Sequence, residues 1–198
     1  MIRNSAREQL FLAGLSTRSL GRRIHWFDSV SSTQDVLTSL AQDHAEEGWV
    51  IAADEQTAGR GRKGAPWHSP QGSGLWFSLL LRPDRPIART PQLTLTMARA
   101  LRECLEFDFC LPSTLKEPND VLISGRKVAG ILGESSCLAG SDRLEHLVMG
   151  LGVNLSTSFP DELKDIATTL GDHMPTPPRA EDLLARILER FEIFYLAD

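Results

Sequence analysis

Nine residues, Gln56-Thr57-Ala58-Gly59-Arg60-Gly61-Arg62-Lys63-Gly64, set three cations among three glycines between two apolar runs. The run before them is Trp49-Val50-Ile51-Ala52-Ala53, and the run after is Leu75-Trp76-Phe77-Ser78-Leu79-Leu80-Leu81. Both have the length and content of buried strands. Glycine lets a backbone take positive φ and approach a ligand closely, and arginine forks match phosphate and carboxylate oxygens. The spacing predicts an anion-holding loop hung between two strands, with a solvated basic hairpin as the plainer alternative. Residues 59–64 also satisfy G-x-G-x-x-G literally, and Asp84 lies 20 residues past Gly64. A dinucleotide fingerprint needs a helix to begin at the glycines, whereas Pro66-Trp67-His68-Ser69-Pro70 follows here. A Walker A loop is excluded as well, because Ala65-Pro66 stands where Lys and Ser/Thr should come.

Around that loop the chain alternates strands and helices without a strict βαβ rhythm. His25-Trp26-Phe27-Asp28 reads as a first strand, and Ser31-Ser32-Thr33 supplies capping hydroxyls ahead of Val36, Leu37, Leu40 and Ala41 at helical spacing. Those hydroxyls serve either as a plain N-cap or, beside free helix N–H groups, as partners for a polar ligand. Leu93, Met97, Ala100, Leu101, Cys104 and Leu105 predict an amphipathic helix ending near Phe107. Pro112 and Pro118 frame an extended segment, and residues 121–132 predict a β-hairpin turning at 124–126. Residues 146–154 predict a buried strand in which Gly150 and Gly152 leave room for a close neighbour. A short helix and loop over 160–170 and a final helix carrying Leu183, Leu184, Ile187, Leu188, Phe191 and Phe194 complete the chain. Residues 1–24 show only a short apolar cluster over 10–15. The fold class is therefore α+β, a mixed and largely antiparallel sheet packed with helices.

Composition narrows the function classes. The 198 residues fit one domain with a sizeable core. A net charge of −5, from 21 basic and 26 acidic side chains, argues against nucleic acid as the main partner. Cys104, Cys110 and Cys137 form neither a disulfide framework nor a zinc pattern, and the five histidines lack metal-ligand spacing. The apolar segment over 10–15 is too short for a signal sequence or a membrane span. A reducing cytoplasm is the expected compartment.

Taken together and in order, five motifs resemble the catalytic domain of biotin protein ligases: Ser31-Ser32-Thr33-Gln34, the loop at 56–63, Lys116-Glu117-Pro118-Asn119-Asp120, the hairpin at 125–132, and Gly150-Leu151-Gly152-Val153-Asn154. The resemblance spans about residues 26–195. It implies the catalytic fold of the biotin/lipoate protein ligases, similar to class II aminoacyl-tRNA synthetases, over one domain covering 1–198. It also implies that neither the N-terminal DNA-binding domain nor the C-terminal β-domain of the regulatory relatives accompanies it. The implied reaction joins biotin to ATP, complexed with Mg²⁺, as biotinyl-5′-AMP. The biotinyl group then passes to a lysine of a biotin carboxyl carrier protein, with no nucleic-acid or membrane partner and with a homodimer as an open option.

By that resemblance Ser32, Thr33, Gln34 and Gln56 hold the ureido end of biotin. Arg60, Gly61 and Arg62 meet carboxylate and phosphate oxygens, and Lys116 bridges the carboxylate and the α-phosphate, so that Lys116, Arg60 and Arg62 are the catalytic set. Trp67, Asn119, Lys127 and Asn154 form the nucleotide site. Trp67 is equally well read as a core residue, and Asp120 either as a Mg²⁺ partner or as a turn cap. Three positions depart from the family pattern: Gln34 replaces Asn, Ala65 stands where Arg is common, and Glu117 replaces Trp. A lipoate or other acyl-protein ligase on the same fold, and a non-catalytic biotin-binding module, are the rival readings.

Overall fold

A strand sends alternate side chains to opposite faces, so the apolar runs decide how a sheet is covered. The computed structural model describes residues 1–197. Its strands are β1 (Arg23–Phe27), β2 (Trp49–Ala53), β3 (Gly74–Leu81), β4 (Thr114–Lys116), β5 (Asp120–Ile123), β6 (Arg126–Cys137) and β7 (Leu144–Asn154). They form a seven-stranded sheet in the order β1-β2-β3-β7-β6-β5-β4. Only the pairing of β1 with β2 is parallel. The helices are α1 (Ser5–Gly14), α2 (Thr33–Gln42), α3 (Thr90–Phe109) and α4 (Ala180–Ala197). The expected mixed, largely antiparallel α+β fold is the one observed.

Leu75, Phe77, Leu79 and Leu81 of β3 and Leu147, Met149, Leu151 and Val153 of β7 face the main core. There they meet Leu93 and Leu101 of α3 and Leu184, Leu188 and Phe191 of α4. The intervening residues face the other way. Leu80 and Val148 join Leu37 and Ala41 of α2 in a smaller cluster. Farther along the same face the strands present Ser78, Gly150, Gly152 and Asn154. The helix α2 covers one end of that face, and the rest is left for the site.

The β5–β6 hairpin turns on Ser124 and Gly125, both at positive φ, which is the primed turn geometry that matches strand twist. α3 runs to Phe109, two residues past the expected end, and closes on Cys110 in the left-handed conformation. Cys104 is a core residue, its thiol pushed up to about 12 by burial and then by Asp108. The N-terminal segment, read from sequence as a bare apolar cluster, is a helix. Only Glu8 and Phe11 of α1 are buried, so charge holds it as much as apolar contact does. Asn4 caps the Arg7 N–H, Glu8 accepts from Arg3 and from the Trp26 N–H, and Arg7 reaches Asp54 and Glu181. Among the described residues no helix is long and apolar enough to cross a membrane.

Candidate active site

The loop after β2 folds back over the start of α2. The Ala58 N–H donates to Ser31 O at 2.8 Å, and Val30 and Gln56 form a parallel bridge. This puts the Gln56 side chain at the helix N-terminus, where Oε1 accepts from the Thr33 N–H at 3.0 Å and from the Thr33 hydroxyl at 3.1 Å. Ser32 occupies the N-cap position, yet its side chain makes no cap bond. Its hydroxyl instead accepts from Arg60 Nη1 at 3.3 Å. Thr33 Oγ1 lies 2.9 Å from Ser78 Oγ, and the Ser78 hydroxyl donates to Gln34 Oε1 at 2.8 Å. Gln34 Nε2 donates to Val148 O at 3.1 Å. Ser32, Thr33, Gln34 and Ser78 are all buried. Together they make a polar end sunk between sheet and helix.

The other end is built around Trp67. Its ring lies over two glycines of adjacent strands, paired as Gly130↔Gly152. A Cβ on Gly152 would stand 2.4 Å from Trp67 Nε1, and one on Gly150 would stand 2.8 Å from Gln34 Oε1. The glycine pair therefore admits two close neighbours, as the sequence spacing predicted. The Trp67 Nε1–H is buried without a hydrogen-bond partner. Lys127 Nζ sits 5.0 Å from the centre of that ring and 2.6 Å from Asp120 Oδ1. Asn119 donates to Ile131 O at 2.7 Å, and Asn154 donates to Thr168 O at 3.2 Å. The segment after β7 returns along β6, with the Lys127 N–H on Ile166 O at 2.8 Å and the Thr168 N–H on Lys127 O at 2.9 Å. That return brings Phe159, Leu163 and Ile166 to the rim.

One cavity of about 350 Å³ joins the two ends. Ser32, Thr33, Gln34, Gln56, Arg60, Gly61, Arg62, Trp67, Asn119, Asp120, Lys127 and Asn154 all line it. Lys116 does not. It stands exposed at the end of edge strand β4, opposite Asp120 in register. Glu117 beside it is exposed too. Arg60 is tied down, with Nε and Nη2 donating to Glu134 at 3.2 and 2.9 Å and Nη1 2.7 Å from Asp35. The bonds to Glu134 first, and Asp35 in addition, raise its pKa above the ordinary arginine value against the opposing effect of burial. Arg62 lines the cavity and remains exposed.

Sequence reasoning missed Ser78, Glu134 and Asp35. A single hydroxyl inside Leu75-Trp76-Phe77-Ser78-Leu79-Leu80-Leu81 was a usable signal, since a buried hydroxyl needs a partner. Glu134 offered none, because its role comes from a pairing with Arg60 across 74 residues.

Chemically, the cavity suits an elongated guest. A donor-and-acceptor head fits among Gln34, Gln56, Thr33 and Ser78, and a flat ring fits beside Trp67. An anionic centre between them meets Lys127 and Arg62. A bifunctional ligase/repressor BirA of Bacillus subtilis is 43% identical over 185 residues, covering 92% of this chain and 56% of that protein. A biotin–[acetyl-CoA-carboxylase] ligase of Mycobacterium tuberculosis is 32% identical over 196 residues, covering 95% of this chain and 68% of that protein. Among solved structures, the biotin protein ligase of Aquifex aeolicus in complex with biotin and ATP superposes with a TM-score of 0.74 at 34% identity, over 87% of this chain and 69% of that one. The chain thus spans about half the length, 56%, of the Bacillus relatives it matches. Residues 26–154 match the family described as Biotin/lipoate A/B protein ligase, and the chain belongs to that family.

Proposed function

We propose that residues 1–198 act as one biotin protein ligase unit in the cytoplasm, activating biotin with ATP and transferring it to a lysine of a biotin carboxyl carrier protein. The observation that carries this reading is the single cavity with a buried donor–acceptor end and a cationic, Trp-walled end. A urea has two N–H donors and one carbonyl acceptor, the complement of the side chains at the buried end. The names of the relatives, which specify biotin, ATP and acetyl-CoA carboxylase, support the same assignment.

In this mechanism the polar end orients biotin so that its carboxylate reaches the cationic end. Lys127 and Arg62 neutralise the carboxylate and the α-phosphate as one oxygen attacks phosphorus and pyrophosphate departs. The carrier lysine then attacks the acyl carbon of biotinyl-5′-AMP, and AMP leaves. No side chain becomes acylated, so the rate derives from positioning and charge stabilisation. Lys127 takes the bridging role that the resemblance gave to Lys116, because Lys127 lines the cavity and Lys116 does not. Asp120 fits a Mg²⁺ that arrives with the nucleotide, since such ions usually take only one or two carboxylates. When bound, that ion would screen phosphate charge.

Biotin-dependent exchange of labelled pyrophosphate into ATP tests the reading. Exchange is expected with biotin and little with lipoate or octanoate. Exchange with lipoate alone would instead indicate a lipoate ligase, and absence of exchange with every acid a binding module.

A further inference from the structure

Four of the five N–H groups of the Arg60 guanidinium, set in a fixed fork, are engaged within the chain. Two go to Glu134, at 3.2 and 2.9 Å, and Nη1 faces Asp35 at 2.7 Å and the Ser32 hydroxyl at 3.3 Å. One cation is thus enclosed by two carboxylates, so the cluster carries net negative charge and would repel an incoming carboxylate or phosphate. The cluster is also tied to the cavity floor. Gln34 Nε2 donates to Glu134 Oε2 at 3.2 Å, while its Oε1 accepts from buried Ser78. The same Nε2 also donates to Val148 O at 3.1 Å, so Gln34 links the cluster to β7.

The glycines on either side of Arg60 tie the two legs of the loop together. Arg60 bridges Pro66, the Trp67 N–H donates to Gly59 O at 2.9 Å, and the Gly61 N–H donates to Ala65 O at 2.7 Å. Fixing Arg60 therefore fixes the Trp67 wall. On its far side a second hollow, lined by Asp35, Glu134, Glu145 and His146, shares Arg60 with the main cavity. The side chains are partly exposed, at 28% for Arg60, 39% for Glu134 and 55% for Asp35, and pairs that open to water break at modest cost.

We propose that Glu134 and Asp35 are positioning residues that hold Arg60 as a latch across the buried polar end of the cavity. Arg60 then acts on the substrate by closing its site, and Arg62 is the loop's anion receptor. The proposal rests on the ligase reading only in naming biotin as the occupant.

A double-mutant cycle with Arg60→Gln and Glu134→Gln tests it, using binding of biotin and of its uncharged methyl ester without nucleotide. For a latch, each single variant and the double variant weaken binding by a similar factor of about ten, because the second change removes nothing further. The factor is the same for biotin and the ester. In turnover, Glu134→Gln raises KM for biotin about tenfold while kcat falls less than about threefold, the pattern of lost uniform binding. Three results would overturn the latch: unchanged binding in Glu134→Gln, multiplied losses in the double variant, or an Arg60→Gln loss confined to biotin. Limited trypsin digestion of the ligand-free proteins gives an independent readout. Cleavage after Arg62 and Lys63 should run severalfold faster in Glu134→Gln than in the parent, and equal rates would also overturn the latch. A parent protein that binds neither biotin nor the ester would sink the ligase reading, and the trypsin rates would then judge the latch by themselves.

Discussion

On one face of β3 and β7, Leu75, Phe77, Leu79, Met149 and Val153 meet two long helices and are sealed from water. On the other face the same strands present Ser78, Gly150, Gly152 and Asn154 to a cavity. On the core side Glu8, Glu181 and Glu192 are buried, and each is paired by groups of this chain. On the site side the Trp67 indole N–H is buried unpartnered, and Asp120 pairs with Lys127 at the cavity wall. Two surfaces of one strand pair can thus be selected for opposite properties, because a period of two keeps their side chains apart.

The sharpest break of that comparison is at Lys127. Lys127→Gln should lower biotin-dependent pyrophosphate exchange by about 10²- to 10³-fold, the usual cost of one electrostatic contact at a reacting centre. Lys116→Gln should cost less than about tenfold. A reversed order would return the bridging role to Lys116. Lys116→Gln should melt with the parent protein, and Lys127→Gln slightly below it because the pair with Asp120 is lost.

Neighbouring positions on β7 supply a reciprocal pair. Gly152→Ala drives a methyl into the space of Trp67, where the contact would be 2.4 Å. Displacing that ring should cost about 10²-fold in exchange activity with little change in stability. Met149→Ala, fully buried on the opposite face, should cost about 2–5 kcal/mol of stability by denaturant titration and leave the KM for biotin unchanged. If either substitution produced the other's phenotype, the two faces would not be independent.

The sequence made the site face legible because the site relies on chemistry few other contexts demand. Glycines at alternate strand positions, cations among glycines and a hairpin with Ser124-Gly125 each carry a local physical requirement. The strands and three of the helices followed from periodicity. What was hidden lies in long-range pairing. α1 is held by Asn4, Arg3 and Arg7 through partners as distant as Glu181, and no periodicity announces it. The carboxylates around Arg60, those of Glu134 and Asp35, lie 74 and 25 residues away in the chain, so no local pattern shows them. Lys116 and Lys127 are both lysines beside turns, and only the sheet order shows that one lies on the exposed edge strand while the other faces Trp67.

The smallest expected effect lies on the core side, at Glu192. Its carboxylate accepts from the backbone N–H groups of Arg18, Ser19 and Leu20 at 2.6, 2.9 and 2.9 Å, stapling the segment before β1 to α4. Burial alone would raise its pKa, but the three N–H donors outweigh that and hold it below the ordinary glutamate value. A carboxylate with a depressed pKa stabilises the fold above its unfolded value, about 4.3, and loses that contribution as pH falls through the lower folded value. Glu192→Gln keeps one acceptor oxygen and removes the charge, so it should lose roughly 1–2 kcal/mol at neutral pH. The gap between parent and variant should persist down to the unfolded value and close as pH falls through the lower folded value, where the parent carboxylate also becomes neutral. Thermal melts from pH 7 to pH 3 measure it, and a gap constant across that range would mean that the charge of Glu192 contributes nothing. Biotin affinity at pH 7 should not move, because Glu192 lies on the face away from the cavity.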